Sequence, residues 1–108
     1  MSLMLLQTTT TEENSQVLMK DALKSGLVSC IQKVPIESYY YWENTLKQDK
    51  EILLTFKVNQ SDFEKLRVLI EAKHIYEIPE IVGMPLDYIS SKYQRWHNET
   101  IKTLKDKF

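Results

Sequence analysis

The residues best suited to chemistry are few: one cysteine, Cys30, and two histidines, His74 and His97. A short acidic segment, Tyr76-Glu77-Ile78-Pro79-Glu80, joins them. Thiolate with imidazole favours Cu(I) or Zn(II) over Mg or Ca. A closed structural zinc site needs four donors, commonly in close-spaced pairs, and the sequence holds no such pair. On an extended segment His74 and Glu77 face opposite ways. His74 and Glu80 share a face but stand roughly 20 Å apart at about 3.3 Å per residue. They become co-ligands only through a bend at Pro79 or across two subunits.

Each donor also has a plain structural reading. Cys30 falls in phase with Val28 and Val34 as a small strand side chain. His74 sits where a helix should end, as a cation facing the helix dipole. His97 is placed on the exposed side of a last helix. Glu77 and Glu80, in a segment with Tyr76 and Pro79, either pair with a base such as Lys57 on a neighbouring strand, or belong to a polar cleft between subunits where Glu80, Cys30 and His74 meet a small ligand. No G-x-S-x-G, no H-E-x-x-H and no glycine-rich phosphate loop is present, with only Gly26 and Gly83 available. Catalysis is therefore the weakest reading, and the chain is not expected to be an enzyme.

The elements that must hold these residues follow from periodicity. Leu3 to Thr9 suits a central strand, followed by a capping box with Thr10 as N-cap and Glu13 three positions on. The helix then turns Val17, Leu18, Ala22 and Leu23 inward and stops at Gly26. Leu27 to Val34 is β-rich, and Pro35 calls for a bulge or an edge. Alternation resumes with Ile36, Ser38, Tyr40 and Trp42 on one face and Glu37, Tyr39, Tyr41 and Glu43 on the other. A polar turn runs from Asn44 to Lys50, and Glu51 to Val58 returns. Ser61-Asp62-Phe63-Glu64 offers a second capping box for a helix ending near Lys73-His74. Tyr76 to Met84 reads as a strand near the sheet centre, and Ser90 or Ser91 starts a C-terminal helix through Tyr93, Trp96, Ile101 and Leu104.

The order βαββαβ plus a helix predicts a single α+β domain over residues 1–108. Its form is ferredoxin-like: an antiparallel sheet, two helices on one face and a long β2–β3 hairpin. Consecutive aromatics Tyr39, Tyr40, Tyr41 and Trp42 point to both faces of that hairpin, which predicts an intersubunit surface. The alternative is cover by the C-terminal helix through Tyr93 and Trp96.

With 14 bases, 15 acids and a formal charge of −1, nothing suggests a nucleic-acid partner. No apolar run is long enough to span a bilayer. The start lacks a signal-peptide pattern, and the lone cysteine fits a reducing cytoplasm.

Several segments together resemble the CutA family of divalent-cation tolerance proteins. Ser38-Tyr39-Tyr40-Tyr41-Trp42-Glu43 is similar to its S-x-Y-x-W-E-G-K signature, and His74 to Ile81 to its H-P-Y-E-x-P-E-I segment. Val28-Ser29-Cys30-Ile31 resembles its A-A-C-V stretch, and Tyr93-Gln94-Arg95-Trp96 its Y-x-x-W. The resemblance implies a homotrimer built like PII signalling proteins and a tie to copper or other divalent cations. It places Cys30 and His74 best as donors for Cu or Zn; the residue reading adds Glu80 to that metal set and puts Tyr76, Glu77 and Lys57 around a ligand cleft. A PII-like small-ligand sensor or protein-anchoring scaffold is the alternative. The sequence departs from the pattern at Asn44-Thr45 for G-K, Ile75 for proline, Gln7 for a cysteine and Lys73 for a second histidine.

Overall fold

A computed structural model describes residues 2–107. Four strands form one antiparallel sheet in the order β2-β3-β1-β4. They are β1 (Leu3–Thr10), β2 (Val28–Trp42), β3 (Thr45–Asn59) and β4 (Ile81–Pro85). Helices α1 (Glu12–Ser25) and α2 (Phe63–Lys73) are the crossovers, and α3 (Ser91–Lys107) closes the chain.

Alternation along β3 sorts the two sheet faces. Ile52, Leu54, Phe56 and Val58 join Met4, Leu6 and Val28 in a core with Leu18 and Ala22 of α1 and Leu66 and Ile70 of α2. The other phase carries Lys57 and Asn59, which meet Tyr93 and His97 of α3. So α1 and α2 cover one face, and α3 covers the base of the other.

Several local expectations shift. β1 keeps Thr10 paired with Ile52, so the N-cap moves to Thr11, whose hydroxyl accepts from the Asn14 amide at 3.1 Å. α1 buries Asn14, Ser15, Leu18 and Ala22, leaving Val17 and Leu23 in solvent. A 3-10 turn at Gln60–Asp62 precedes α2, and Asp62 makes no cap bond. Instead its buried carboxylate pairs with Lys105 of α3 at 2.6 Å, a tertiary tie that outweighs the local cap. The bulge lies between Val28 and Cys30. Pro35 sits opposite Ile52 in unbroken β2. There β2 is an outer strand, so the missing N–H faces away from the ladder.

The hairpin turn is tighter than the polar composition suggests. Glu43 and Asn44 alone form it, both at positive φ (51° and 63°), as a two-residue hairpin turn requires. β2 and β3 therefore run 15 residues each against 8 for β1. β1 ends opposite Ile52, and the hairpin continues beyond it as two strands alone. Tyr39, Tyr41 and Leu46 on this overhang are 63%, 77% and 61% exposed.

The last strand is also shorter than expected, and it is an edge. Only Ile81–Pro85 pairs with β1. Residues 74–80 form an irregular crossover from the end of α2. Pro79 contributes no N–H to a ladder, and His74 and Asn14 bind this segment in another shape.

Candidate functional site

The crossover is held by side chains, beginning with Asn14. Its Nδ2 donates to the Lys73 carbonyl at 3.1 Å, satisfying a free group at the end of α2. Its Oδ1 accepts from the Ile75 amide at 3.3 Å and from the Thr10 hydroxyl at 2.6 Å. One buried amide thus ties α1, β1 and the start of the crossover together.

His74 is fixed next. Its Nδ1 accepts the Tyr76 backbone N–H at 3.1 Å, so the ring proton resides on Nε2. That N–H points to the Thr9 carbonyl at 3.0 Å and lies 3.1 Å from Thr8 Oγ1. Burial lowers the pKa of this imidazole, partly countered by the Thr9 carbonyl and the charge of Glu51. Both ring nitrogens are occupied, so metal ligation would cost at least one of these bonds. The expected helix-end cation is instead a neutral ring.

Tyr76 continues the chain. Its ring lies 5.0 Å from that of His74, and its hydroxyl donates to Glu51 Oε2 at 2.7 Å. Burial, and then this bond to Glu51, raises its pKa. On the overhang a second phenol does likewise: Tyr40 donates to Asp49, which raises the Tyr40 pKa.

These groups border a cleft of about 710 Å³ between the crossover and the overhang. The hairpin contributes Tyr39, Tyr40 and Trp42 with Lys47, Asp49 and Glu51; the crossover contributes Ile75 to Ile78 and Glu80. The register explains which aromatics enter. Ser38, Tyr40 and Trp42 pair with Asp49, Lys47 and Thr45 on the Glu51 face. Tyr39 and Tyr41 alternate to the other face, with Leu46 opposite Tyr41, although Tyr39 still borders the cleft.

Of the residues singled out in the sequence, Tyr76, Glu77 and Glu80 thus line one cleft, and His74 braces it from behind. Lys57 lies elsewhere. It donates to the Tyr93 hydroxyl at 2.9 Å and lies 5.0 Å from the centre of that ring, so it is not the base that pairs with Glu77 or Glu80. Cys30, half-buried, stands opposite Lys57 under α3. Three strand spacings of about 4.8 Å separate β2 from β4, so Cys30 and Glu80 lie well over 10 Å apart in one subunit. Among the described residues no three His, Cys, Asp or Glu side chains gather as a metal centre. A resident copper or zinc ion does not fit Cys30, His74 and Glu80 within one chain.

The sequence reading missed Glu51, Asp49, Asn14 and the role of His97. Far from being exposed, His97 is fully buried. Its Nδ1 lies 2.6 Å from Ser29 Oγ and its Nε2 2.7 Å from Asn59 Oδ1. Burial lowers its pKa. Nucleophile, base and orienter stand in line, yet none of the three borders this cleft or the smaller one beside Pro35. The set docks α3 onto the sheet. No local pattern signals it, because the partners lie 68 and 38 residues away.

Comparison with known proteins places this geometry. A family model described as CutA1 divalent ion tolerance protein matches residues 3–100. The chloroplastic protein CutA of Arabidopsis thaliana is 34% identical over 96 residues, covering 88% of this chain. The chain spans about half (53%) of that relative's length. The divalent-cation tolerance protein CutA of Thermus thermophilus is 33% identical, with 87% of this chain and 92% of the relative covered. Among solved structures, CutA from Synechococcus elongatus superposes with a TM-score of 0.87 at 28% identity, covering 93% and 90% of the two chains. CutA1 from Oryza sativa gives 0.86 at 29%, covering 92% and 93%.

Proposed function

The chain belongs to the CutA1 divalent ion tolerance family, and on that premise we propose that it serves divalent-cation tolerance as a cytoplasmic homotrimer. The function is one of binding rather than catalysis. The observation that carries the trimer is the overhang. A two-stranded ribbon with Tyr39, Tyr41 and Leu46 in solvent is marginal by itself, and symmetric association is the usual way such a surface is covered. Alternation divides the labour: Tyr39 and Tyr41 face other subunits, while Tyr40 and Trp42 face the cleft.

Copper or zinc, if bound through Cys30, His74 or Glu80, takes donors from more than one subunit. Titrating the protein with Cu(II) and Zn(II) while following its mass by light scattering tests this. A trimer that takes up either ion, less well after Cys30→Ala or Glu80→Gln, supports the reading. Uptake that both variants leave unchanged removes these donors, and a monomer removes the shared site. No helix among the described residues is long and apolar enough to cross a membrane.

The aromatic and acidic lining of the 710 Å³ cleft favours a second reading, a small-ligand sensor of PII-like build.

A further inference from the structure

The cleft holds a buried carboxylate that no ion pair among the described residues engages. Glu51 is only 8% exposed. Carboxylates are rarely that buried without a cationic partner. Its hydrogen bond is to an uncharged phenol, Tyr76, and no ion pair among the described residues engages it. Asp49 lies two residues along the same face of β3, roughly 7 Å away at about 3.4 Å per residue, and it too is held by a phenol, Tyr40. Glu77 and Glu80 face the same space, against the single base Lys47.

Three ligand classes are separated by this arrangement. An anion such as a nucleotide meets four carboxylates and one lysine, and is repelled. A bare divalent ion needs four to eight converging donors, and no such group gathers among the described residues. An organic ammonium needs less: one or two carboxylates for its N–H groups and aromatic faces for its body. Asp49 and Glu51 supply the first, and Tyr40 and Tyr76 the second.

We propose that this cleft binds a small organic cation, an ammonium seated between Glu51 and Asp49 with its apolar body against Tyr40 and Tyr76. The two phenols lock the carboxylates in place before the ligand arrives, which reduces the ordering cost of binding. This deepens the small-ligand reading and does not depend on metal binding.

The test uses the full chain and three probes with one skeleton: phenethylamine as cation, 2-phenylethanol as neutral analogue and 3-phenylpropanoate as anion. Calorimetry gives affinity, and amide shifts of Glu51 and Tyr76 give location. The amine is expected to bind at least about tenfold tighter than the alcohol, the anion not at all, and added salt to weaken the amine. Glu51→Gln should remove most of that preference. Asp49→Asn, on the exposed ribbon, should erode it even if the buried substitution impairs folding. Equal affinity for alcohol and amine, binding of the anion, shifts confined to other residues, or no amine binding at millimolar concentration would each overturn the proposal. A Zn(II) titration of the same sample reports separately on the divalent-cation reading.

Discussion

Asn14, His74, Tyr76 and Glu51 hold the crossover by separate hydrogen bonds at successive points from the start of α1 to the cleft wall. Removing the amide in Asn14→Ala strands the Lys73 carbonyl and the Ile75 N–H. The expected loss is about 1–3 kcal/mol in urea unfolding, with the crossover amides exchanging faster. The two histidines give the protein an acid limit. Both pKa values are depressed in the folded state, so their contribution is intact above the ordinary value of 6.5 and is lost as pH falls below it. Unfolding free energy should therefore drop between pH 7 and pH 5. The drop should be shallower in His97→Gln, whose amide does not titrate; an equal slope would show that His97 takes no part. Little of this was legible beforehand. Glu51 reads in sequence as the start of a strand, and its burial depends on Tyr76, 25 residues away. His97 sits in a largely polar helix, and only Ser29 and Asn59 reveal why it is inside.

Among the elements, the hairpin was the most readable. Period-two alternation from Ile36 to Glu43 placed Tyr40 and Trp42 on one face and Tyr39 and Tyr41 on the other, as the register has them. The turn was misjudged, because polar residues after Asn44 continue a ribbon instead of a loop. Positive φ at Glu43 is strained for a side chain bearing a Cβ. Glu43→Gly should stabilise the fold by about 0.5–1 kcal/mol, read as a higher urea midpoint. For β4 the reason is different: Tyr76 to Met84 reads as one strand, while bonds to Asn14 and His74 hold the backbone before Ile81 irregular. Within β4, Gly83 marks a close approach. A Cβ there would lie 2.6 Å from Phe63 Cε2 and 2.8 Å from Met4 Cε. Gly83→Ala should cost about 1–3 kcal/mol through overpacking, visible as a lowered melting temperature.

For the whole molecule, a sheet with three helices accounts for the base, where the cores beneath α1, α2 and α3 are closed. It leaves the overhang unexplained within one subunit, and the elongated outline of 45 × 29 × 21 Å comes with that ribbon. The proposed trimer would give the ribbon its cover. In sequence, four adjacent aromatics raise the expectation of a partner. Sequence could not locate the cleft, which exists only where the crossover bends back toward the hairpin. The most direct test is native mass spectrometry of the wild type beside a Tyr39→Ser, Tyr41→Ser, Leu46→Ser variant, with circular dichroism on both. The account predicts a wild-type trimer and a variant that is monomeric with its α+β signal retained. A wild type that stays monomeric at micromolar concentration, or a variant that remains a trimer, would contradict it.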